Sequence, residues 1–314
     1  MSPSLFTLTL NPAIDRTVTI PGFQVGVVNR VLTASDRAGG KGINVAAAFA
    51  AQGHRVAALG FLGQDNAAVF AAFFEQHGIT DRCLRLPGAT RVGIKIFDSL
   101  KRDTTDLNFP GLTPGPADVE ALRGQLAELA GEGSWCVLAG SLPPGVAAEF
   151  YAQIITGLKE RGVRTVLDTS GEALRAGLRA GPDILKPNQH ELEELVGRAL
   201  PSEAAVIAAA RELVAGGVGL VVVSRGADGA CFVTAEKVVV ARPPAVTVGS
   251  TVGAGDAMVA GVVSAQIRGA SIEETARYAT ACSLAALTVG PESTGAEVRA
   301  AVAAFAPRVQ VIEA

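Results

Sequence analysis

The sequence predicts an α/β fold: a mostly parallel central sheet covered by helices on both faces, with a small second β-sheet over one end as a lid. Apolar runs rich in β-branched residues alternate with helical stretches along most of the 314 residues, a pattern typical of parallel strands joined by crossover helices. Two segments, 13–30 and 89–109, interrupt this alternation. Small and polar residues follow several predicted strands, where open α/β sheets bind ligands.

The core elements follow one another in βαβα order. The predicted elements are strand Ser4 to Leu10, helix Asn44 to Gln52, strand Arg55 to Gly60, helix Asn66 to Gly78, helix Pro116 to Ala130, strand Trp135 to Ala139, helix Ala147 to Arg161, strand Val163 to Asp168 and strand Asp183 to Leu185. Further along, Gly216 to Ser224 and Gly229 to Val233 predict a pair of strands, because a Gly-bearing turn separates them.

The two interrupting segments predict the lid. The run from Arg91 to Phe97 alternates with strand period and no helix follows it. We therefore expect 13–30 and 89–109 to form the lid, and 1–12, 31–88 and 110–314 to form the core. An antiparallel extension at the edge of the main sheet is the alternative, since mixed sheets are common.

Composition excludes several classes of partner. Lys and Arg number 27 against 30 Asp and Glu, and no basic run follows any segment, so nucleic acid is not an expected partner. No apolar stretch reaches the roughly 20 residues of a membrane span. The first residues lack a signal-peptide pattern, so a cytoplasmic location is expected. The four cysteines are widely spaced and predict free thiols: Cys83, Cys136, Cys231 and Cys282.

A glycine-rich helix start contains the first candidate catalytic group. The run Thr251-Val252-Gly253-Ala254-Gly255-Asp256 precedes an almost wholly apolar helix, Ala257 to Ile267. The unpaired N–H groups and the helix dipole at such a start favour a phosphate or a developing anion. Asp256 would then be a base beside an anion site. The motif alone is equally compatible with a tight turn and a favourable first-turn carboxylate.

A second glycine cluster lies at a predicted strand-to-helix junction, Gly39-Gly40-Lys41-Gly42-Ile43-Asn44. Glycines there let a ligand approach the backbone closely, and Asn44 can cap the helix or bind a hydroxyl group. Neither a Walker P-loop nor a dinucleotide-binding fingerprint is matched. A Walker-type ATPase and an NAD-dependent dehydrogenase therefore lose support.

Two more strand ends carry candidate ligand groups. Asp15 follows the first strand and can accept hydrogen bonds from two sugar hydroxyls, although a turn Asp after Pro12 is the alternative. Asn188 and Glu191 follow the strand that ends at Leu185. They would share a helix face and could orient waters of Mg²⁺, or they could form a simple capping box.

Taken together, these runs resemble the ribokinase-like carbohydrate kinases of the PfkB family, and the resemblance covers nearly the whole chain. It rests on Gly39 to Asn44, on Lys186-Pro187-Asn188-x-x-Glu191 and on Thr251 to Asp256, in that order. It implies an αβα core with a β lid, ATP as phosphate donor, Mg²⁺ as helper ion and a homodimer formed through the lids.

The resemblance also implies roles for individual residues. Asp256 falls on the catalytic base, and the backbone of Gly253, Ala254 and Gly255 falls on the anion hole. Asn188 and Glu191 fall on positions that hold Mg²⁺ through water. The positions that fall on sugar-phosphate-binding residues are Asp15, Arg30, Gly39, Gly40, Lys41, Asn44, Arg91, Asn108 and Ser141, and those on the nucleotide side are Lys186, Asn188, Ser224, Gly226, Asp228, Gly229 and Gly255.

Shorter sequence motifs indicate which sugar phosphate would accept the phosphoryl group. Leu8 to Asp15, Gly140 to Gly145 and Leu167 to Gly171 are similar to the branch of the family that phosphorylates ketohexose phosphates. Within it, Gly26 to Arg30 and Thr105 to Gly111 favour the 6-hydroxyl of fructose 1-phosphate. Tagatose 6-phosphate and fructose 6-phosphate are the alternative acceptors. A non-catalytic sugar-phosphate sensor is the alternative of another class.

Overall fold

The computed structural model describes residues 5–248, 253–290 and 293–314, and the chain folds there into two sheets and two helical layers. The strands are β1 Leu5–Thr9, β2 Ala13–Ile20, β3 Thr33–Gly39, β4 Val56–Gly63, β5 Thr80–Asp81, β6 Leu84–Leu86, β7 Val92–Asp98, β8 Asp103–Leu107, β9 Trp135–Ala139, β10 Arg164–Asp168, β11 Ile184–Leu185, β12 Leu220–Ser224, β13 Ala230–Val233, β14 Val238–Arg242 and β15 Gln310–Glu313. The helices are α1 Lys41–Ala51, α2 Ala68–His77, α3 Pro116–Leu129, α4 Phe150–Lys159, α5 Gly171–Leu178, α6 Gln189–Val196, α7 Glu203–Ala215, α8 Ala254–Ile267, α9 Ile272–Thr288 and α10 Gly295–Phe305.

The large sheet confirms the predicted doubly wound core. Its strand order is β15-β14-β13-β12-β11-β10-β9-β1-β4-β5, with β6 also paired to β4. The strands from β12 through β5 run parallel, while β13, β14 and β15 add an antiparallel edge. The predicted pair formed by β12 and β13 is confirmed.

Alternate residues of each central strand pack into opposite helical layers, as the strand period of two requires. Trp135 and Val137 of β9 pack with α1, α2, α8, α9 and α10, whereas Cys136 and Leu138 pack with α3 to α7. The result is a three-layer αβα arrangement. The helix α8 is buried along nearly its whole length, which explains its almost entirely apolar sequence.

The small sheet is separate from the large one and has the order β3-β2-β7-β8. The expected separate small sheet is therefore confirmed, and the alternative, an edge extension of the main sheet, is wrong. The lid also includes β3, which the sequence analysis placed in the core. Thr33–Gly39 has little apolar character to mark it as a strand, but it pairs antiparallel with β2 over seven residues. The boundary of the lid is therefore set by the pairing of β3 with β2 and not by the sequence pattern of β3.

The cysteines and the helices bear on two further sequence predictions, free thiols and the lack of a membrane-spanning stretch. All four cysteines are free thiols, and three of them are buried. Across the part of the chain that the structure describes, no helix has the length and apolar character needed to cross a membrane.

Candidate active site

The candidate active site lies where the carboxyl ends of the central parallel strands meet the starts of α1 and α8. Asp168 is the last residue of β10, and Lys186 directly follows β11. Lys41 and Asp256 lie in the first turns of α1 and α8. Four separate stretches of sequence therefore contribute polar groups to one edge of the sheet, because parallel strands present their carboxyl ends together.

Asp256 lies at the centre of this region and is only 7% exposed. Its Oδ2 accepts a hydrogen bond from Asn44 Nδ2 at 2.8 Å. Burial, and then the negative charge of Asp168, raise the pKa of Asp256 to about 6, while Asn44, Lys186 and Lys41 limit the rise. A carboxylate with this pKa is mostly ionised at neutral pH and can still accept a proton.

The first turn of α8 presents backbone N–H groups next to Asp256. Gly253 is the N-cap residue and has a left-handed backbone with φ of 83°, a conformation that favours glycine. Ala254 and Gly255 follow it, and a Cβ atom at Gly255 would stand 3.5 Å from Lys186 Nζ. The predicted anion site thus has an ammonium group beside it. Thr251 and Val252 of the same motif lie outside the described residues.

Two lysines and two carboxylates surround this helix start. Lys41 Nζ lies 2.7 Å from Asp168 Oδ1 and 3.7 Å from Glu191 Oε1, and Lys186 Nζ lies 3.5 Å from Asp168 Oδ2. Burial works to lower the pKa of Lys41, but these carboxylates hold it above its ordinary value. Burial works to raise the pKa of Asp168, but Lys186 and Lys41 hold it below its ordinary value. Both groups are therefore charged.

A cavity of about 530 Å³ lies between the lid and the core. Asp15 lies in β2 and lines this cavity together with Asn44 and Gly253. Gly39 packs against Asp15 so closely that a Cβ atom would lie 2.6 Å from Asp15 Oδ2. Gly40 is the N-cap residue of α1, with φ of 123°. The predicted strand-to-helix glycine cluster is confirmed.

Two lid cations that sequence reasoning missed also line the cavity. Lys95 Nζ lies 3.9 Å from Asp15 Oδ1, and Arg37 is the β3 residue paired with Asp15. Burial raises the pKa of Asp15, and Lys95, Arg37 and Arg91 limit that rise. The alternation of β7 could have indicated that Lys95 faces the cavity. Lys95 lies on the same strand face as Gly93, and the apolar Ile94 and Ile96 lie on the opposite face.

Two other predicted substrate residues, Arg91 and Ser141, contact the segment that joins β1 to β2. The guanidinium of Arg91 donates hydrogen bonds to the main-chain carbonyls of Asn11, Pro12 and Phe109. Ser141 Oγ accepts a hydrogen bond from the Asn11 side chain at 3.2 Å. The two remaining residues, Arg30 and Asn108, are exposed in loops after β2 and β8.

Three of the predicted nucleotide residues lie at a second cleft, of about 430 Å³. Asn188, Ser224 and Gly226 line it, and an isolated parallel bridge joins Asn188 to Ser224. Gly229 has φ of 90°, and a Cβ atom there would lie 2.0 Å from the carbonyl oxygen of Ala241, so the turn requires glycine. The last predicted residue of this group, Asp228, is exposed at the end of the turn Gly226–Asp228.

Asn188 and Glu191 form the capping box that was the alternative to a metal role. Asn188 Oδ1 accepts from Glu191 N, and Glu191 Oε2 accepts from Asn188 N, both at 2.8 Å. Glu191 Oε1 remains on the side of Lys41. No group of three or more His, Cys, Asp and Glu suited to a metal occurs in the described residues. The donors present fit a Mg²⁺ ion held mainly by water and phosphate oxygens.

A doubly wound core, a β lid over a cavity that Asp15, Arg37 and Lys95 line, and a buried carboxylate at a helix N-terminus near two lysines are the features of a sugar kinase. Comparison with known proteins agrees: the family described as pfkB family carbohydrate kinase matches residues 8–299. The chain belongs to the pfkB family.

Three similar proteins illustrate the relationship. A 1-phosphofructokinase from Rhodobacter capsulatus is 51% identical over 305 residues, which cover 96% of each chain. Phosphofructokinase-2 from Escherichia coli in complex with fructose-6-phosphate has 31% identity and a TM-score of 0.89, covering 96% of this chain and 99% of that one. The tetrameric inhibited form of the same enzyme has 32% identity, a TM-score of 0.88 and the same coverage.

Proposed function

We propose that the protein transfers the γ-phosphoryl group of ATP to the 6-hydroxyl of fructose 1-phosphate, giving fructose 1,6-bisphosphate and ADP. The observation that carries this proposal is the buried Asp256 carboxylate, which lies at a helix start suited to an anion and is hydrogen-bonded to Asn44, a residue that lines the cavity beside the lid. The relative with 51% identity bears the name of this activity.

In this mechanism Asp256 accepts the proton of the attacking hydroxyl. Asn44 orients the carboxylate through its hydrogen bond to Oδ2. The N–H groups of Gly253, Ala254 and Gly255 counter the charge on the transferred phosphoryl group, because phosphoryl transfer depends mainly on alignment and charge neutralisation.

Lys41, Lys186 and the capping box of Asn188 and Glu191 would bind or neutralise the phosphate groups. Lys41 would face the sugar phosphate, and Lys186 would face the phosphates of ATP, as its place beside Gly255 favours. A bound Mg²⁺ ion would supply positive charge that neutralises the phosphate oxygens. Asn188 and Glu191 would hold its water ligands, while Ser224, Gly226 and Gly229 would bind the nucleotide.

Arg91 and Ser141 would hold the phosphate of the sugar. Asp15 would accept hydrogen bonds from sugar hydroxyls, with Lys95 beside it in the lid. Closure of the lid would exclude water and limit ATP hydrolysis.

The acceptor is tested by comparing kcat/KM for fructose 1-phosphate, fructose 6-phosphate and tagatose 6-phosphate in an assay coupled to ADP formation. We expect fructose 1-phosphate to be preferred by more than tenfold. A preference for either 6-phosphate would contradict the assigned acceptor while leaving the kinase mechanism in place. No ADP with any of the three would contradict the mechanism and favour a sugar-phosphate sensor.

The proposal includes a homodimer formed through the lids. Most of the large apolar residues that are exposed in the described part of the chain belong to lid segments. They are Val25, Val27, Val28, Val31, Leu32, Leu100, Leu107 and Phe109. An apolar surface of this kind marks an interaction site.

Light scattering should give a dimer for the unmodified protein and a monomer for Val25→Asp, because Val25 is 92% exposed. Ile312→Asp, at an exposed apolar residue of β15 outside the lid, is the control and should remain dimeric. A monomeric or tetrameric unmodified protein would contradict this assembly.

We further propose a cytoplasmic location, which the four free thiols favour.

A further inference from the structure

Asp168 is a buried carboxylate to which the mechanism above gives no task. It ends β10 and is 1% exposed, and its two oxygens face two different lysines. Oδ1 accepts a hydrogen bond from Lys41 Nζ at 2.7 Å. Oδ2 lies 3.5 Å from Lys186 Nζ and has no hydrogen-bond partner among the described residues.

The two lysines come from different elements and reach different parts of the site. Lys41 is the first residue of α1, one turn before Asn44, which contacts the base. Lys186 Nζ lies beside Gly255 in the first turn of α8. Each ammonium has three donors. Asp168 accepts a hydrogen bond from one N–H group of Lys41, and its interaction with Lys186 is electrostatic. Both ammonium groups therefore retain N–H groups that can donate to phosphate oxygens.

We propose that Asp168 is a positioning residue, which holds the Lys41 ammonium group towards the phosphate of the sugar and the Lys186 ammonium group towards the phosphates of ATP before the substrates bind. This inference rests on the proposed kinase function and adds a residue to it. Asp168 itself acts through the lysines and does not contact the reacting atoms.

A purely stabilising role explains the arrangement less well. Removing a carboxylate from water costs several kcal/mol, and a buried ion pair often fails to repay this cost relative to apolar residues. Oδ2 has a 3.5 Å contact with Lys186 Nζ but no hydrogen bond, so the burial of Asp168 is incompletely compensated. A fixed charge that orients two flexible side chains has a clear use in phosphoryl transfer, because preorganised groups need no rearrangement during the reaction.

The test is Asp168→Asn, which keeps the shape of the side chain and removes its charge. With the best ketohexose phosphate and ATP, we expect kcat to fall by about 10- to 100-fold, less than the roughly 10²- to 10³-fold cost of losing a direct donor to the reacting group, because Asp168 acts through the lysines. The acid limb of kcat/KM should also move to lower pH. One of the charges that raise the pKa of Asp256 is then absent, while Lys41, Lys186 and Asn44 still lower that pKa.

A double variant tests whether the loss of kcat in Asp168→Asn arises through Lys41. If Asp168 acts through Lys41, adding Asp168→Asn to Lys41→Met should cost clearly less than Asp168→Asn alone costs in the unmodified enzyme, because coupled residues are not additive. Asp183→Asn is the matched control. Asp183 precedes β11 at the opposite end of the same sheet and accepts hydrogen bonds from Thr165 N and Oγ1 at 2.7 and 3.0 Å.

The outcomes separate the alternatives. A fall in kcat together with the pH shift, in a variant as folded as Asp183→Asn, supports the positioning role. A kcat within threefold of the unmodified enzyme overturns it, and so does full recovery of activity at high Mg²⁺, which would make Asp168 a metal ligand. If Asp168→Asn does not fold, the smaller Asp168→Ser is judged by the same criteria. Failure of the unmodified protein to phosphorylate any ketohexose phosphate would contradict the proposed function instead.

Discussion

Asp256→Asn should lower kcat by about 10² to 10⁴, the usual cost of removing a general base. The variant keeps the size of the side chain and a hydrogen-bond acceptor for Asn44, so the site should keep its shape. The KM values for ATP and the sugar phosphate should change little, because Asp256 acts on the hydroxyl proton during transfer. Steady-state kinetics with fructose 1-phosphate and ATP, with melting temperatures as a check of folding, measure this.

Asp118→Asn is the matched control for this variant. Asp118 is also the third residue of a helix whose N-cap is a glycine, Gly115. Its carboxylate accepts a hydrogen bond from the Gly115 N–H at 2.8 Å, whereas the Asp256 carboxylate accepts one from Asn44. We expect Asp118→Asn to affect stability slightly and turnover not at all. Equal turnover in the two variants would show that Asp256 is only a first-turn carboxylate.

The same role predicts the pH dependence of the unmodified enzyme. Only ionised Asp256 can accept the hydroxyl proton, and its pKa is raised to about 6. The value of kcat/KM should therefore fall as the pH decreases through about 6, and it should be independent of Asp256 ionisation well above that pH. An acid limb near pH 4, the ordinary range of a carboxyl group, would mean that burial does not shift the base.

Gly39→Ala should have the second largest effect, a loss of about 100-fold in kcat/KM for the sugar phosphate. The added Cβ would meet Asp15 Oδ2 at 2.6 Å and Asp15 Cγ at 2.8 Å, so the carboxylate must move away. Hydrogen bonds to charged groups contribute about 1.5 to 3 kcal/mol each, which is consistent with this loss. The KM for ATP should stay within about twofold, since ATP is expected on the opposite side of the site.

Two further variants test the cause of that loss. Gly124→Ala, at a helical glycine with open space around its Cβ position, is the control and should keep normal kinetics. Asp15→Ala should reduce kcat/KM in a similar way, and the double variant Gly39→Ala with Asp15→Ala should be little worse than either alone. Additive losses would mean that Gly39 acts on something other than Asp15.

Local patterns predicted much of the fold and several contacts of the site. The boundaries of β9 agree with the expected Trp135 to Ala139, because a short buried strand between turn signals is well marked. The capping box of Asn188 and Glu191 was one of two alternatives given by their spacing, since both partners lie within one helical turn. The strand β3 was missed because its pairing with β2, and not its composition, makes it a strand.

Long-range contacts account for most of what was missed in the site. Lys41 and Asp168 are 127 residues apart in the chain, and no spacing rule joins them. The role of Arg91 at the substrate phosphate stays a prediction, and its hydrogen bonds to the carbonyls of Asn11, Pro12 and Phe109 depend on how the lid meets the core. Lys95 and Arg37 acquire their place near Asp15 only through the register of the lid strands.

The sequence by itself determined the αβα class, the glycine-rich helix start with its Asp, and the loops at the strand ends, because helix starts and turns depend on neighbouring residues. Only the tertiary structure decided the electrostatic surroundings of Asp256. Those surroundings depend on burial and on distances to Asp168, Lys186, Lys41 and Asn44, and the separation of Asn44 from Asp256 along the chain is 212 residues. Coulomb interactions fall with distance in space and not with distance along the chain.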